Sequence, residues 1–137
     1  MDQFRIIPKE KWPVFWVRAK EFHKAMQMSE DSPNATISAA VHCTISAIDA
    51  LSVFKNGKRS SGEHYNSALA LAEIRTSDDN ERSRILNKVR MLMPLKNKGE
   101  YEDTNPSLND ARKAGQLTRD IFKFIENELR ISGASPL

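Results

Sequence analysis

The stretch from Ser32 to Gly57 constrains this chain most. Ser32-Pro33 is a helix start, a capping residue followed by proline at the first helical position, where a missing N–H is harmless. Asn56-Gly57 is a helix stop with a glycine free to take the left-handed cap, and Lys55 and Lys58 suit the negative end of the helix dipole. Between them Ile37, Ala40, Val41, Thr44, Ile45, Ile48, Leu51 and Ser52 recur at helical spacing and mark one broad face. Ala39, Ala40, Ala47 and Ala50 add small residues that let a neighbouring helix approach closely. The spacing predicts a helix over 33–55, with Ile45 in the core.

Four further helices are expected around it. Trp12, Phe15, Trp16, Ala19, Phe22, His23 and Met26 form a stripe over 11–28, with Pro13 in the first turn. A shorter helix is expected over 63–75, through Tyr65, Ala68, Leu69, Ala72 and Ile74. A fourth runs over 80–93 and is expected to stop at Pro94. Residues 96–106 are polar and read as a connector. Ser107 with Asp110 is a capping-box start for a last helix over 108–130, through Ala111, Ala114, Leu117, Ile121, Phe122, Ile125 and Leu129. Amphipathic helices cannot bury their faces alone, and short loops make neighbours antiparallel. The expected fold is therefore all-α: one antiparallel four-helix bundle plus one short helix, without a β-sheet. The 137 residues suit a single domain, with 1–9 and 131–137 expected as flexible termini.

Composition excludes several classes. With 39% hydrophobic and 28% charged residues the chain is neither a disordered tail nor a fibre, and 5 Gly with 6 Pro supply few turns for a β-sandwich. A net charge of +3 permits a polyanionic partner without demanding one. The lone Cys43 excludes an internal disulfide and fits a reducing, cytoplasmic setting. Residues 1–5 lack the apolar core of a signal peptide. No window is read as approaching 18 apolar residues, so no membrane association is expected.

Chemistry has few places to reside. His23, His42 and His64 fall on three segments with no Glu-x-x-His, so neither a metal nor another cofactor is expected. Cys43 lies mid-helix among apolar residues, a poor setting for a thiolate. Asp49 is polar for its place, sitting in an apolar run and two turns from His42 on one face. It reads either as a satisfied buried carboxylate or as a member of a site in a cleft. His64 either caps the short helix or joins Asp49 and Lys96. Lys55, Lys58 and Arg59 form a basic connector able to attract phosphate, or simply to offset a helix C-terminus. The run Lys96-Asn97-Lys98-Gly99-Glu100-Tyr101 carries a tyrosine unusual in a solvated connector.

Three segments together resemble the HEPN domain superfamily. They are Ala39-Ala40-Val41-His42-Cys43-Thr44-Ile45-Ser46-Ala47-Ile48-Asp49-Ala50-Leu51, the following Gly57-Lys58-Arg59-Ser60-Ser61-Gly62-Glu63-His64, and Leu95-Lys96-Asn97-Lys98-Gly99-Glu100-Tyr101-Glu102 ahead of an Ala-rich last helix. The resemblance spans roughly residues 10–130. It implies a compact helical bundle that commonly pairs with a second copy. Active members carry an Arg, a polar residue that is often Asn, three more residues, then a His, and cut RNA without metal. Here Lys96 stands in place of the Arg, Asn97 matches, and Tyr101 stands in place of the His. Tyrosine titrates near 10 and exchanges no proton at neutral pH, whereas histidine titrates near 6.5. Lysine supplies charge but not a bidentate fork.

Three functions follow from these readings. The first is a non-catalytic HEPN-like module, binding a nucleotide, RNA or a partner protein, in a defence or toxin–antitoxin setting. Its ligand-binding set would be Asp49, His64, Lys96, Asn97 and Tyr101, with Asp49 paired to Lys96. The second is a metal-independent endoribonuclease with a degenerate motif and His64 as its acid or base. The third is a purely structural helical dimer. A homodimer is expected in any case, because Trp12, Phe15, Trp16 and Phe22 offer more apolar area than one bundle face needs.

Overall fold

A computed structural model describes residues 4–60, 66–100 and 103–137, apart from the side chains of 98–100. In chain order they form strand β1 (Phe4–Ile6), a 3-10 turn (Lys9–Lys11), helix α1 (Trp12–Met28), helix α2 (Pro33–Asn56), strand β2 (Lys58–Ser60) and helix α3 (Ser67–Ala72). Helices α4 (Asp79–Glu100) and α5 (Leu108–Ile131) follow. The all-α class is correct, and α1, α2 and α5 start and stop within a residue of their expected bounds.

Helix α2 is the centre. Fifteen of its residues are buried, on every side of the helix, including Ile37, Val41, Cys43, Ile48, Leu51 and Val53. It packs against α1 and α5, with α3, α4, β2 and the 3-10 turn closing the remaining sides. Its length and apolar composition suffice to cross a membrane, contrary to the sequence expectation, but 78% of that window is buried inside the bundle. Surface that would otherwise need lipid is covered by protein. Gly57 ends the helix at φ 66°, and its N–H donates to the Val53 carbonyl.

Helix directions follow from side-chain pairs. Trp12 meets Phe54 edge-on and Phe22 lies against His42, so α1 and α2 run antiparallel. Lys88 meets Asp120 at 2.7 Å, and the Ser77 amide donates to Glu128, so α4 and α5 run antiparallel. Thr118 Oγ1 donates to the Ala40 carbonyl at 3.4 Å, and Lys55 Nζ donates to Ser132 at 3.2 Å. Helices α2 and α5 therefore run parallel and in contact, while consecutive long helices alternate in direction.

Several expectations need correction. A two-stranded antiparallel sheet exists, pairing Phe4 with Ser60, Arg5 with Arg59 and Ile6 with Lys58. Three-residue strands are too short to show a period, and the peptide groups crossing the end of α2 still need partners. Ser52 Oγ donates to the Lys58 carbonyl at 2.6 Å, and the Ile7 amide donates to the Gly57 carbonyl at 2.9 Å. Residues 4–6 are thereby tied into the fold where a flexible terminus was expected. At the other end Pro136 is buried and Lys20 donates to the Leu137 carbonyl, so the tail lies back on α1.

Helix α3 is six residues, not thirteen; Asn66 caps it by accepting from the Leu69 amide. Helix α4 runs straight through Pro94. Proline strips an N–H and crowds the carbonyl four residues back. Here Pro94 and Arg90 both face solvent, where water serves the freed carbonyl, while Val89, Leu92 and Leu95 continue the packed stripe past it. Ser107 and Asp110 form the expected capping box on α5, with bonds of 2.9 and 3.0 Å.

Ile45 is half-buried at the edge of the core, whereas Ile48 is fully buried. Ile48→Ala should cost about 3–4 kcal/mol in urea unfolding and Ile45→Ala only about 1–2 kcal/mol. Equal losses would mean that α2 is rotated about its axis relative to this packing.

Candidate functional site

Asp49 lies in the all-round buried part of α2, with its side chain 3% exposed. A carboxylate there demands a charged or hydrogen-bonding neighbour. Arg59 on β2 supplies one, its Nε 3.5 Å from Asp49 Oδ2. The Arg59 guanidinium also lies over the Phe15 ring at 5.1 Å, and Arg18 approaches the same ring at 5.2 Å. Arg59 is thus held between a carboxylate and an aromatic ring from α1.

The rest of the basic connector is used in the same way. Lys58 meets Glu73 at 3.2 Å and sits over the Phe4 ring at 4.2 Å. Lys55 reaches Ser132. The connector sews β2, α3 and the end of α5 to the end of α2, which is a structural job.

Lys96 and Asn97 were expected in a non-helical connector. They stand instead in the last turns of α4, Lys96 half-buried and Asn97 exposed, where a cation offsets the helix dipole. His64 and Tyr101 lie outside the described residues. Asp49 and Lys96 are not brought together. Eight residues on from Lys88 and eight back from Asp120 put Lys96 level with Arg112. The Thr118–Ala40 bond puts Arg112 level with residue 34 of α2, fifteen residues before Asp49. At about 1.5 Å per residue the separation is roughly 20 Å along the bundle. Among the described residues the geometry brings Arg59 to Asp49, and sequence spacing had no signal for it beyond the basic run itself.

The Lys96 end holds a feature that the sequence did not reveal. A cleft of about 350 Å³ opens between the α1–α2 turn and the first turns of α5. Met26 and Ala111 form its floor, Arg112 and Arg119 stand on one side, and Glu30 and Asp31 on the other. Arg112, Gly115 and Arg119 share one helix face by their spacing of three and four. Among the described residues no group of three or more His, Cys, Asp or Glu could hold a metal.

Burial pushes the Cys43 thiol up to about 12, so it stays protonated and unreactive. His23 stacks on Phe122 at 4.5 Å, which in turn stacks on Trp16 at 4.7 Å. Burial, then the Arg119 charge, hold His23 below its usual 6.5, against a smaller upward pull from Glu126. The aromatic residues of α1 are consumed in these contacts. Phe15 and Trp16 are buried, and Trp12 and Phe22 are half-buried. They therefore no longer argue for a dimer face.

No protein-family model matches the chain, and neither a curated protein nor a solved structure matches it.

Two measurements check this description. Arg59→Ala removes the cation beside a buried carboxylate and should lower stability by about 2–3 kcal/mol, less than a fully buried pair because Arg59 is partly solvated. A loss under about 0.5 kcal/mol would show the pair to be incidental. The second concerns His23. Its folded-state value lies below 6.5, so in the window just below 6.5 the unfolded chain holds more protons. Stability should fall as pH drops through that window, and His23→Phe should flatten the slope. An unchanged slope in the variant would assign it to other groups.

Proposed function

We propose that this chain is a HEPN-like helical module that binds a phosphate-bearing ligand, a nucleotide or an RNA strand, without cutting it. The supporting observation is the placement of Lys96 and Asn97 on a helix, level with Arg112 and Lys113 of α5. Three cations then share one end of the bundle, and clustered cations are what a phosphate backbone attracts. Tyr101 would add a ring for base stacking. The absence of cleavage rests on chemistry. The motif offers a lysine and a tyrosine where proton exchange at neutral pH is needed, and the thiol of Cys43 is buried and protonated.

Pairing of two copies belongs to the same reading. Besides Met28 at its end, α1 leaves Val14 and Val17 exposed, at 44% and 47%, and sedimentation of Val14→Glu against the parent chain tests the pairing.

Fluorescence anisotropy with a single-stranded RNA is the direct experiment. Lys96→Ala should weaken binding several-fold and lower the salt slope by about one. A nuclease assay without metal should show no cleavage. Unchanged affinity in Lys96→Ala would remove the phosphate reading, and cleavage abolished by His64→Ala would replace it with the ribonuclease one.

A further inference from the structure

The cleft between the α1–α2 turn and α5 carries two opposite charges that do not meet. Glu30 and Asp31 face it from the turn and Arg112 and Arg119 from the helix. Among the described residues no ion pair joins the two walls, so the oppositely charged groups stand more than 4 Å apart. Such walls leave room for a group to be held between them.

Gly115 explains how the cationic wall is shaped. It is buried on the cleft face of α5, and a Cβ built there would come within 3.3 Å of Arg119 Nη1. The missing side chain leaves room for the exposed Arg119 guanidinium to lie back along the helix toward Arg112. Two guanidinium groups on one helical face, two turns apart in sequence, offer forked donors of the kind that bind a carboxylate with directed hydrogen bonds.

The floor is apolar. Met26 is 1% exposed and Ala111 is buried, while Leu108 at the rim is half exposed. Thr36, the remaining polar group, is already engaged, donating to the Ser29 carbonyl. A volume of about 350 Å³ is at the small end of ligand pockets.

We propose that this cleft binds a small apolar zwitterion, an α-amino acid or dipeptide with apolar side chains, its carboxylate on Arg112 and Arg119 and its ammonium on Glu30 and Asp31. The side chain lies over Met26 and Ala111. A simple anion would satisfy one wall and leave the acidic one facing it at a like-charge penalty. An apolar molecule without charges would touch only the floor and gain nothing from the exposed charges of either wall. The inference does not use Lys96 but shares Arg112 with the RNA reading, so the acidic wall is what separates the two.

The test is calorimetric titration of the whole chain with leucine and with leucyl-leucine, each compared with its N-acetylated and its carboxamide form. Saturable binding by one of the parent zwitterions is expected, with a dissociation constant of order 1 mM or tighter. Blocking either end should weaken it about tenfold or more, the loss of one charged hydrogen-bonded contact. Arg112→Ala/Arg119→Ala and Glu30→Gln/Asp31→Asn should each do the same, and whichever pair keeps the parent melting temperature carries the conclusion. The proposal is overturned by absence of saturable binding for both zwitterions, by blocked forms binding as well as the parents, or by affinity unchanged in the folded double variants. RNA affinity that is lost in Lys96→Ala but kept in Glu30→Gln/Asp31→Asn would leave the preceding reading standing whatever the outcome here.

Discussion

The burial of α2 is the constraint on which the rest depends. A helix that is apolar on all sides cannot rest on one neighbour; it must be surrounded. Helices α1 and α5 take neighbouring flanks, meeting each other through Trp16 and Phe122, and α3 and α4 close the remaining sides. Because α2 is covered around its whole circumference over residues 46–53, its polar residues there are forced into specific arrangements. Asp49 needs Arg59, Ser52 needs the Lys58 carbonyl, and Thr118 of α5 reaches the Ala40 carbonyl. The small sheet follows from the same demand, since β2 is held over the end of α2 and β1 serves its outer edge. Glu128 plays the matching part on α5. It is buried, and its carboxylate accepts from both the amide and the hydroxyl of Ser77, fixing the approach to α4.

Much of this was legible in the residues. Ser32-Pro33, Asn56-Gly57 and Ser107 with Asp110 carry local chemistry that depends little on context, and they set helix ends correctly. Pro94 misled because its penalty is fixed by surroundings. Facing water, it is tolerated, and the apolar stripe on the opposite side pulls the helix onward. Residues 63–75 misled for the converse reason, because a weak stripe with alanines reads as a longer helix than its contacts support. Strands of three residues have no period to read.

The site was less legible than the fold. Asp49 was recognisable as anomalous, because an isolated carboxylate in an apolar run always is. Its partner was not, because Arg59 reaches it only after the chain turns at Gly57. The separation of Asp49 from Lys96 depends on helix register, which no spacing within one helix contains. The same holds for the cleft. Arg112, Gly115 and Arg119 lie on one face by counting, but only the packing of α5 beside the α1–α2 turn sets Glu30 and Asp31 opposite them.

The contact between α2 and α5 joins residues 78 positions apart in the chain, as Thr118 and Ala40 show. During synthesis the most apolar helix of the protein is therefore finished long before its second flank exists. A nascent chain that has emerged only as far as residue 100 has α1, α3 and α4 to cover α2 but lacks α5. Closing so long a loop adds only a modest entropic cost for its length. The interval before closure is another matter, because exposed apolar surface then has time to find other partners. Early termination between α4 and α5 would thus yield a product drawn to chaperones, membranes or its own copies, rather than a smaller folded domain.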